Sequence, residues 1–240
     1  MECGEINCVA FIRLPFAALL SLRFRILPGM PPRRKRSPAS PPLAPGLLQE
    51  LAKESQKCRN CDLWRNATQT VFGQGSSSAP IMLIGEAPGD QEDRQGKPFV
   101  GPAGTLLRML LNEAGIDLKQ VYLTNVVKHF KWEPRGRRRI HKTPNSREIK
   151  ACRFWLDAEI AALKPKVIVC LGATAAQALL GREFRVTQHR GELIYSDLAP
   201  YVMATVHPSA ILRAPDENSR RQQEREFLAD LKKVAAIKLK

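Results

Sequence analysis

The chain has 240 residues, 44% of them hydrophobic, which is enough for one domain of ordinary size with a complete core, and no internal repeat is visible. Its 38 Lys and Arg outnumber 23 Asp and Glu, and the formal net charge of +15 favours a polyanionic partner, either nucleic acid or an anionic membrane surface. Six cysteines are too few for a disulfide-stapled secreted module, so we expect a reducing, cytoplasmic compartment.

Residues 1–45 are predicted to form a basic, Pro-rich leader without a core of its own. Residues 1–40 hold seven basic and two acidic residues, so +5 of the net charge belongs to the leader and +10 to the rest. Three arginines and a proline interrupt the apolar stretch 9–27, which excludes a membrane span of roughly 20 clean residues. An organelle transit peptide and a natural start at Met30 both stay open as explanations of the leader.

The folded domain is expected over residues 46–240, and four aliphatic runs recur within it. Each run is continuous rather than alternating, as strands buried on both faces should be. The runs are residues 80–85, 121–127, 166–171 and 201–206.

Helical patterns lie between these runs, at residues 102–114, after a capping box formed by Asn145 and Glu148, at residues 173–180 and at residues 219–239. Strands that alternate with helices predict an α/β fold. We therefore expect a three-layer αβα domain with a central, mainly parallel four-stranded sheet.

Polar residues follow the predicted strands, and ligands bind at the carboxyl ends of strands in such sheets. A catalytic pocket is therefore predicted at this edge. The residues concerned are Glu86 and Asp90 after the first run, Asn125 and His129 at the second, Thr174 after the third, and His207 and Ser209 after the fourth.

The first of these segments, GEAPGDQED followed by GKPFVGPAG, is not a phosphate-binding loop, because Lys97 is followed by Pro98 rather than Ser or Thr. A solvated surface turn is the simpler alternative. Together with TNVVKH and HPSAILR, however, the segment resembles the family-four uracil-DNA glycosylases of the uracil-DNA glycosylase superfamily. The resemblance runs from about Leu47 to about Leu231.

This resemblance implies that the chain excises uracil in DNA base excision repair, with uracil-containing DNA, including single strands, as its partner. We expect a monomer that associates with the nucleoid through this function. The target base must leave the stack to enter a pocket. In the resembled family an aromatic side chain at the position of Phe99 stacks on the base and an amide at the position of Asn125 reads its edge. A purely structural hydrogen bond is the alternative for Asn125.

Cleavage of the N-glycosidic bond builds positive charge on the sugar and negative charge on uracil, so a carboxylate and a hydrogen-bond donor are required. The resemblance implies the first role for Glu86 and Asp90 and the second for His207, with Ser209 of the same motif beside the substrate. A capping or core histidine is the alternative for His207.

Cys58 and Cys61 form a C-x-x-C pair, which by itself fits a redox pair, half of a zinc site or neither. In the resembled family two later ligands join such a pair to hold a four-iron, four-sulfur cluster. Cys152 stands at one of these positions, and His129 stands where the family has Cys. Histidine replaces thiolate on iron in Rieske centres, so we expect the cluster to survive this change.

An Arg-dense insertion at residues 131–142, KWEPRGRRRIHK, follows the second predicted strand. It resembles the RRIH loop of the UdgX-type branch, in which a histidine attacks the deoxyribose after uracil departs. The resemblance implies that His141 forms a covalent enzyme–DNA adduct at C1′ and that Arg139 holds a flanking phosphate. A plain phosphate-binding loop is the alternative, and Ala87 stands where that branch has Gln.

Three hypotheses therefore remain. The chain is a self-trapping uracil glycosylase, a uracil glycosylase that turns over freely, or a non-catalytic metal-containing module that binds nucleic acid.

Overall fold

A computed structural model of the protein describes residues 46–238, so the predicted leader, with Met30, lies outside the described residues. The helices are α1 (Leu47–Ser55), α2 (Asp90–Gln95), α3 (Pro102–Glu113), α4 (Ser146–Leu163), α5 (Ala173–Leu180), α6 (Val186–His189), α7 (Pro208–Leu212) and α8 (Glu217–Ala235). The strands are β1 (Gln74–Gly75), β2 (Ile81–Gly85), β3 (Val121–Asn125), β4 (Trp132–Arg135), β5 (Arg138–His141), β6 (Val167–Leu171), β7 (Leu193–Ile194) and β8 (Tyr201–Thr205).

The central sheet has the order β1-β3-β2-β6-β8-β7. Its four inner strands are mutually parallel and correspond to the four predicted runs, which confirms the predicted fold class. The sheet has six strands rather than the predicted four because β1 and β7 pair antiparallel at its two edges. Strands of two residues carry no periodic pattern that a sequence could reveal.

Two apolar layers cover the sheet, one on each face, because successive strand residues point to opposite sides. Met82 and Ile84 of β2 pack in one layer with residues of α4 and α5. Ile81 and Leu83 pack in the other layer with residues of α3 and α8. The predicted three-layer αβα arrangement is therefore confirmed. Within residues 46–238 the helices include none with the length and apolar character needed to cross a membrane.

Helix α4 begins at the capping box that the sequence predicts. The Asn145 side chain accepts from the Glu148 backbone N–H at 2.9 Å, and the Glu148 carboxylate accepts from the Asn145 N–H at 2.7 Å. The helix ends at Lys164, whose φ of 49° lies in the left-handed region. This start and end set the register that brings Cys152 and Glu159 to the buried face.

The Arg-dense insertion, for which the sequence analysis predicted no strands, forms a β-hairpin. Strands β4 and β5 pair only with each other, and Trp132 stands opposite His141 in the register. Gly136 has a φ of 59° in the turn between them. A hairpin this short, with Pro134 and several arginines, lacks the aliphatic alternation by which strands are recognised.

Candidate active site

The predicted pocket residues converge above Gly85, at the carboxyl end of β2. A Cβ placed on Gly85 would lie 2.4 Å from Asn125 Oδ1, 2.8 Å from Phe99 Cζ and 3.5 Å from His207 Nε2. These three side chains come from three separate parts of the chain. Only a glycine leaves room for them to meet at this point.

Phe99 is buried and held in an unusual backbone conformation. Its φ is 55°, an angle at which any residue with a Cβ is strained. Residues strained in this way cluster at functional sites. Its carbonyl accepts from Arg108 Nη1 at 2.5 Å, and Gly104 of α3 lies so close that a Cβ there would overlap the same carbonyl. The Phe99 ring packs almost parallel to the His207 ring, with centroids 6.0 Å apart. The aromatic face is therefore rigidly placed.

His207 is a neutral hydrogen-bond donor in this geometry. The Ser209 backbone N–H donates to its Nδ1 at 3.1 Å, so Nδ1 is an acceptor and the ring hydrogen is on Nε2. Burial, together with the positive charge of Arg213 and the nearby His141, lowers the pKa of His207 to about 4. His207 thus caps α7 through Nδ1, which is the capping role that the sequence analysis gave as the alternative for this residue. Its Nε2 faces Gly85 and Asn125.

Glu86 follows β2 directly and lies between α5 and the hairpin. Its Oε2 accepts a hydrogen bond from the hydroxyl of Thr174, at the start of α5. Its Oε1 lies 3.8 Å from Nε2 of His141. The Glu86 side chain is 23% exposed, so part of it is open to solvent.

Asp90 is engaged by two arginines. Its carboxylate accepts from Arg94 at 2.9 Å and from Arg139 at 2.5 Å. Burial acts to raise the pKa of Asp90, but the hydrogen bonds from Arg94 and Arg139 outweigh it and lower the pKa. Asp90 is therefore an ionised carboxylate, and its negative charge is paired with Arg94 and Arg139.

Asp93, which the sequence interpretation did not select, is a fully buried acid one helical turn after Asp90. It accepts from the backbone and hydroxyl of Thr68 and from Arg139 Nη1, the last at 2.7 Å. The spacing of three residues on one helix could have indicated a shared face. Its partner Arg139 could not be inferred, since 46 residues separate the two in the chain.

Arg139 joins the hairpin to α2 through these acids. Its guanidinium also lies over the rings of Phe130 and Trp132, at 5.2 and 5.5 Å from their centroids. Both Nε and Nη1 are taken by carboxylates, which is a two-pronged contact that lysine could not make. Arg139 is thus paired with Asp90 and Asp93 of the protein itself. Its predicted contact with a DNA phosphate remains a prediction.

His141 ends β5 at the mouth of the pocket, and its ring packs against that of the buried Phe130. Burial lowers the pKa of His141; the charge of Glu86 opposes this effect and that of Arg213 adds to it. The imidazole is therefore neutral at pH 7 and offers a nitrogen lone pair.

The three predicted cysteine ligands lie near one another. Cys58, Cys61 and Cys152 are unpaired thiols close enough for the first two to act on the pKa of Cys152, which burial raises to about 11. The Trp155 indole N–H donates to Cys58 Sγ and the Lys128 backbone N–H to Cys152 Sγ, both at 3.2 Å. Such N–H···S bonds accompany thiolates that ligate iron.

His129 is buried, and burial together with the charge of Arg59 lowers its pKa to about 4, which keeps the ring neutral. Arg59 lies between Cys58 and Cys61, so the ring is near this loop. Across residues 46–238, no three His, Cys, Asp or Glu side chains are placed to hold a single metal ion. A four-iron cluster takes each ligand at a separate corner, and a set of three thiols and a neutral imidazole matches its chemistry.

The family model that describes the uracil DNA glycosylase superfamily matches residues 72–232 of the chain. A type-4 uracil-DNA glycosylase of Thermotoga maritima is 38% identical over 192 residues, which cover 80% of this chain and 94% of that protein. Type-4 enzymes of Sulfurisphaera tokodaii and Archaeoglobus fulgidus are 37% and 35% identical, over 75% and 79% of this chain and 81% and 92% of their own lengths.

Proposed function

The chain belongs to the uracil-DNA glycosylase superfamily, and we propose that it excises uracil from DNA and then binds covalently to the product through His141. The long, well-covered matches to type-4 enzymes favour a DNA glycosylase over a non-catalytic binding module. The branch with a self-trapping histidine is the finer part of the proposal.

Recognition of the base is assigned to Asn125 and Phe99. The Asn125 amide can donate to uracil O4 and accept from N3–H, whereas cytosine presents the opposite pattern. Asn125 is buried at the bottom of the pocket, so a mismatched edge would leave desolvated polar groups unpaired. The fixed ring of Phe99 offers a stacking surface for a flipped base.

Cleavage is assigned to His207 and Glu86. The C1′–N1 bond breaks with its electron pair going to uracil, and the Nε2–H of His207 donates to the negative charge that develops on O2. The Glu86 carboxylate stabilises the positive charge that remains on the sugar. Asp90 supports this step through position, because its carboxylate is paired with Arg94 and Arg139 and so anchors the hairpin beside Glu86.

Trapping is assigned to His141, and one observation carries it: His141 Nε2 lies 3.8 Å from Glu86 Oε1, beside the predicted position of the sugar cation. The neutral ring donates its Nε2 lone pair to C1′, a C–N bond forms, and the Nδ1 proton leaves to solvent. A nitrogen held this close competes well with water because its effective concentration is far higher.

A four-iron, four-sulfur cluster is proposed on Cys58, Cys61, Cys152 and His129. When bound, it supplies a cross-link between residues that are far apart in the chain. The ligands join the segment after α1 to α4 and to the turn after β3, so they fix the wall of the pocket that carries Asn125.

The DNA partner is proposed to include single strands, with the enzyme acting as a monomer in base excision repair. Arg213 is exposed beside the two active-site histidines, on whose pKa values its charge acts. A cation at the pocket mouth suits a phosphate next to the flipped nucleotide. We place Ser209, whose hydroxyl contacts His207, at the same edge.

The test is a single-stranded oligonucleotide that contains one uracil, incubated with the protein and separated on a denaturing gel. A band retarded by the mass of the protein is expected. An alkali-labile site without retardation would mean that the enzyme turns over freely, and intact DNA would contradict the glycosylase assignment itself.

A further inference from the structure

A buried ion pair lies beside the main chain of Asn125, where β3 packs against α4. Lys128 Nζ and Glu159 Oε2 are 2.5 Å apart, and their side chains are 1% and 0% exposed. Neither residue reaches the pocket or belongs to the proposed ligand set. A buried ion pair contributes little net stability to a core, because removing two charges from water costs free energy and apolar side chains of similar volume stabilise the core at least as well.

The Lys128 ammonium group binds the end of β3. Its ammonium donates to Glu159, to the Thr124 hydroxyl at 2.6 Å and to the backbone carbonyl of Asn125 at 2.7 Å. All three hydrogens of the ammonium group are therefore used. One of them holds the main chain of the residue assigned to read uracil.

The glutamate fastens the same strand from the neighbouring helix. Its carboxylate accepts from the Tyr122 hydroxyl at 3.1 Å, from the Thr124 hydroxyl at 2.9 Å and from the Gly73 N–H at 2.9 Å. With Lys128, it has four donors. Glu159 thus fixes β3 relative to α4 without touching the pocket.

We propose that the buried Lys128–Glu159 pair is a positioning device for the uracil-reading amide of Asn125. The direction of a side chain follows from its own backbone, and here the carbonyl of Asn125 is held by a charge-assisted hydrogen bond. The same turn continues to the Lys128 N–H, which binds Cys152 Sγ, and to His129. The pair therefore joins the base-reading residue to the wall that carries the proposed cluster.

This inference rests on the proposed function, because it takes Asn125 as the reader. The test uses a double variant, Lys128→Met with Glu159→Gln. Methionine keeps most of the lysine volume and donates nothing, while glutamine still accepts from Tyr122 and Gly73. The matched control is Arg190→Met with Asp230→Asn, which removes another largely buried ion pair, of 2.8 Å, far along the chain from Asn125.

The readout is the ratio of the dissociation constants for two oligonucleotides, one with 2′-fluoro-deoxyuridine and one with 2′-fluoro-deoxycytidine, measured by fluorescence anisotropy. The fluorine prevents cleavage, and the ratio cancels phosphate contacts that both strands share. We expect the preference for uracil to fall about tenfold in the Lys128–Glu159 variant, which corresponds to one mispositioned hydrogen-bonding group. The control variant should lose stability alone.

The outcomes separate the two proposals. No preference in the unmodified protein, or a preference that survives Asn125→Ala, overturns the reader assignment and with it the positioning role. A preference that Asn125→Ala removes but the double variant keeps in full overturns the positioning role alone. If the double variant does not fold, Thr124→Val removes the hydroxyl between the two charges; we then expect a drop of about threefold, and an unchanged ratio overturns the inference.

Discussion

Arg139 and the fully buried Asp93 form an ion pair in which Nη1 of the guanidinium donates to the carboxylate at 2.7 Å. Arg139 lies two residues before His141 on β5, and Asp93 lies on α2, directly after the pocket loop. The pair therefore sets the distance between the hairpin and the pocket. Because Asp90 binds the same guanidinium, removal of one arginine releases both contacts.

We predict that Arg139→Gln lowers the ratio of covalent adduct to abasic product by about tenfold or more, since small displacements of a reacting group have large effects on rate. Excision should fall much less, because Phe99 is held by Arg108, Asn125 by Lys128 and His207 by Ser209, and these three partners lie outside the hairpin. The two products are separated on one denaturing gel. Arg138→Gln is the matched control: it removes the same charge from the same strand at an exposed position, and it should leave the ratio unchanged.

We predict that His141→Ser abolishes the adduct while excision continues by attack of water and leaves an abasic site. His189→Ser is the control, because His189 also contacts a glutamate, Glu192, at 3.0 Å but lies on another part of the surface. An adduct that forms equally well in the His141→Ser variant would show that another residue is the nucleophile. Loss of both reactions would mean that His141 is needed for the cleavage step or for the fold rather than as the nucleophile.

The adduct-to-abasic ratio should depend on pH in one direction. Burial lowers the pKa of His141 below the ordinary value of 6.5, so the reactive neutral ring predominates above that pH. We expect a constant ratio from pH 8 to about 6.5 and a decrease at lower pH, as protonation removes the lone pair. A ratio that already falls between pH 8 and 7 would contradict the neutral nucleophile.

The purified protein should be brown, because three cysteine ligands and a histidine favour an iron–sulfur cluster. Cys152→Ala should remove the visible absorbance, and His129→Cys should retain it. Visible absorption and iron analysis of anaerobically prepared protein make the measurement. A colourless protein with stoichiometric zinc would refute the cluster.

We predict that Asn125→Asp relaxes the exclusion of cytosine, since a carboxylate accepts from the cytosine amino group where the amide offered uracil a donor. Cleavage of cytosine- and uracil-containing oligonucleotides is compared under single-turnover conditions. A variant that cuts uracil at the normal rate and still rejects cytosine completely would show that Asn125 is not the reader.

The local sequence pattern predicted an element correctly where a single local interaction determines it. The four inner strands follow from continuous aliphatic runs, because strands buried on both faces have no polar side. The start of α4 follows from Asn145 and Glu148, which satisfy each other's backbone N–H groups within one turn of helix. The edge strands and the hairpin were missed because they are short and gain their order from pairing.

The candidate site could be predicted in its residue types but not in its contacts. Glu86, Asn125 and His207 follow strands, so the sheet brings them to one edge whatever their neighbours are. Lys128 and Glu159, in contrast, appear in the sequence as an ordinary polar residue after a strand and an ordinary acid in a helix.

The sequence by itself determined the layer architecture and the edge of the sheet at which the candidate site residues lie, since hydrophobic periodicity and the order of strands act along the chain. Only the tertiary structure decided the state of each group. It gave Arg139 two acids, His207 a defined tautomer and Lys128 a buried partner 31 residues away. These properties depend on desolvation and on hydrogen bonds between distant segments, and both exist only once the layers have packed.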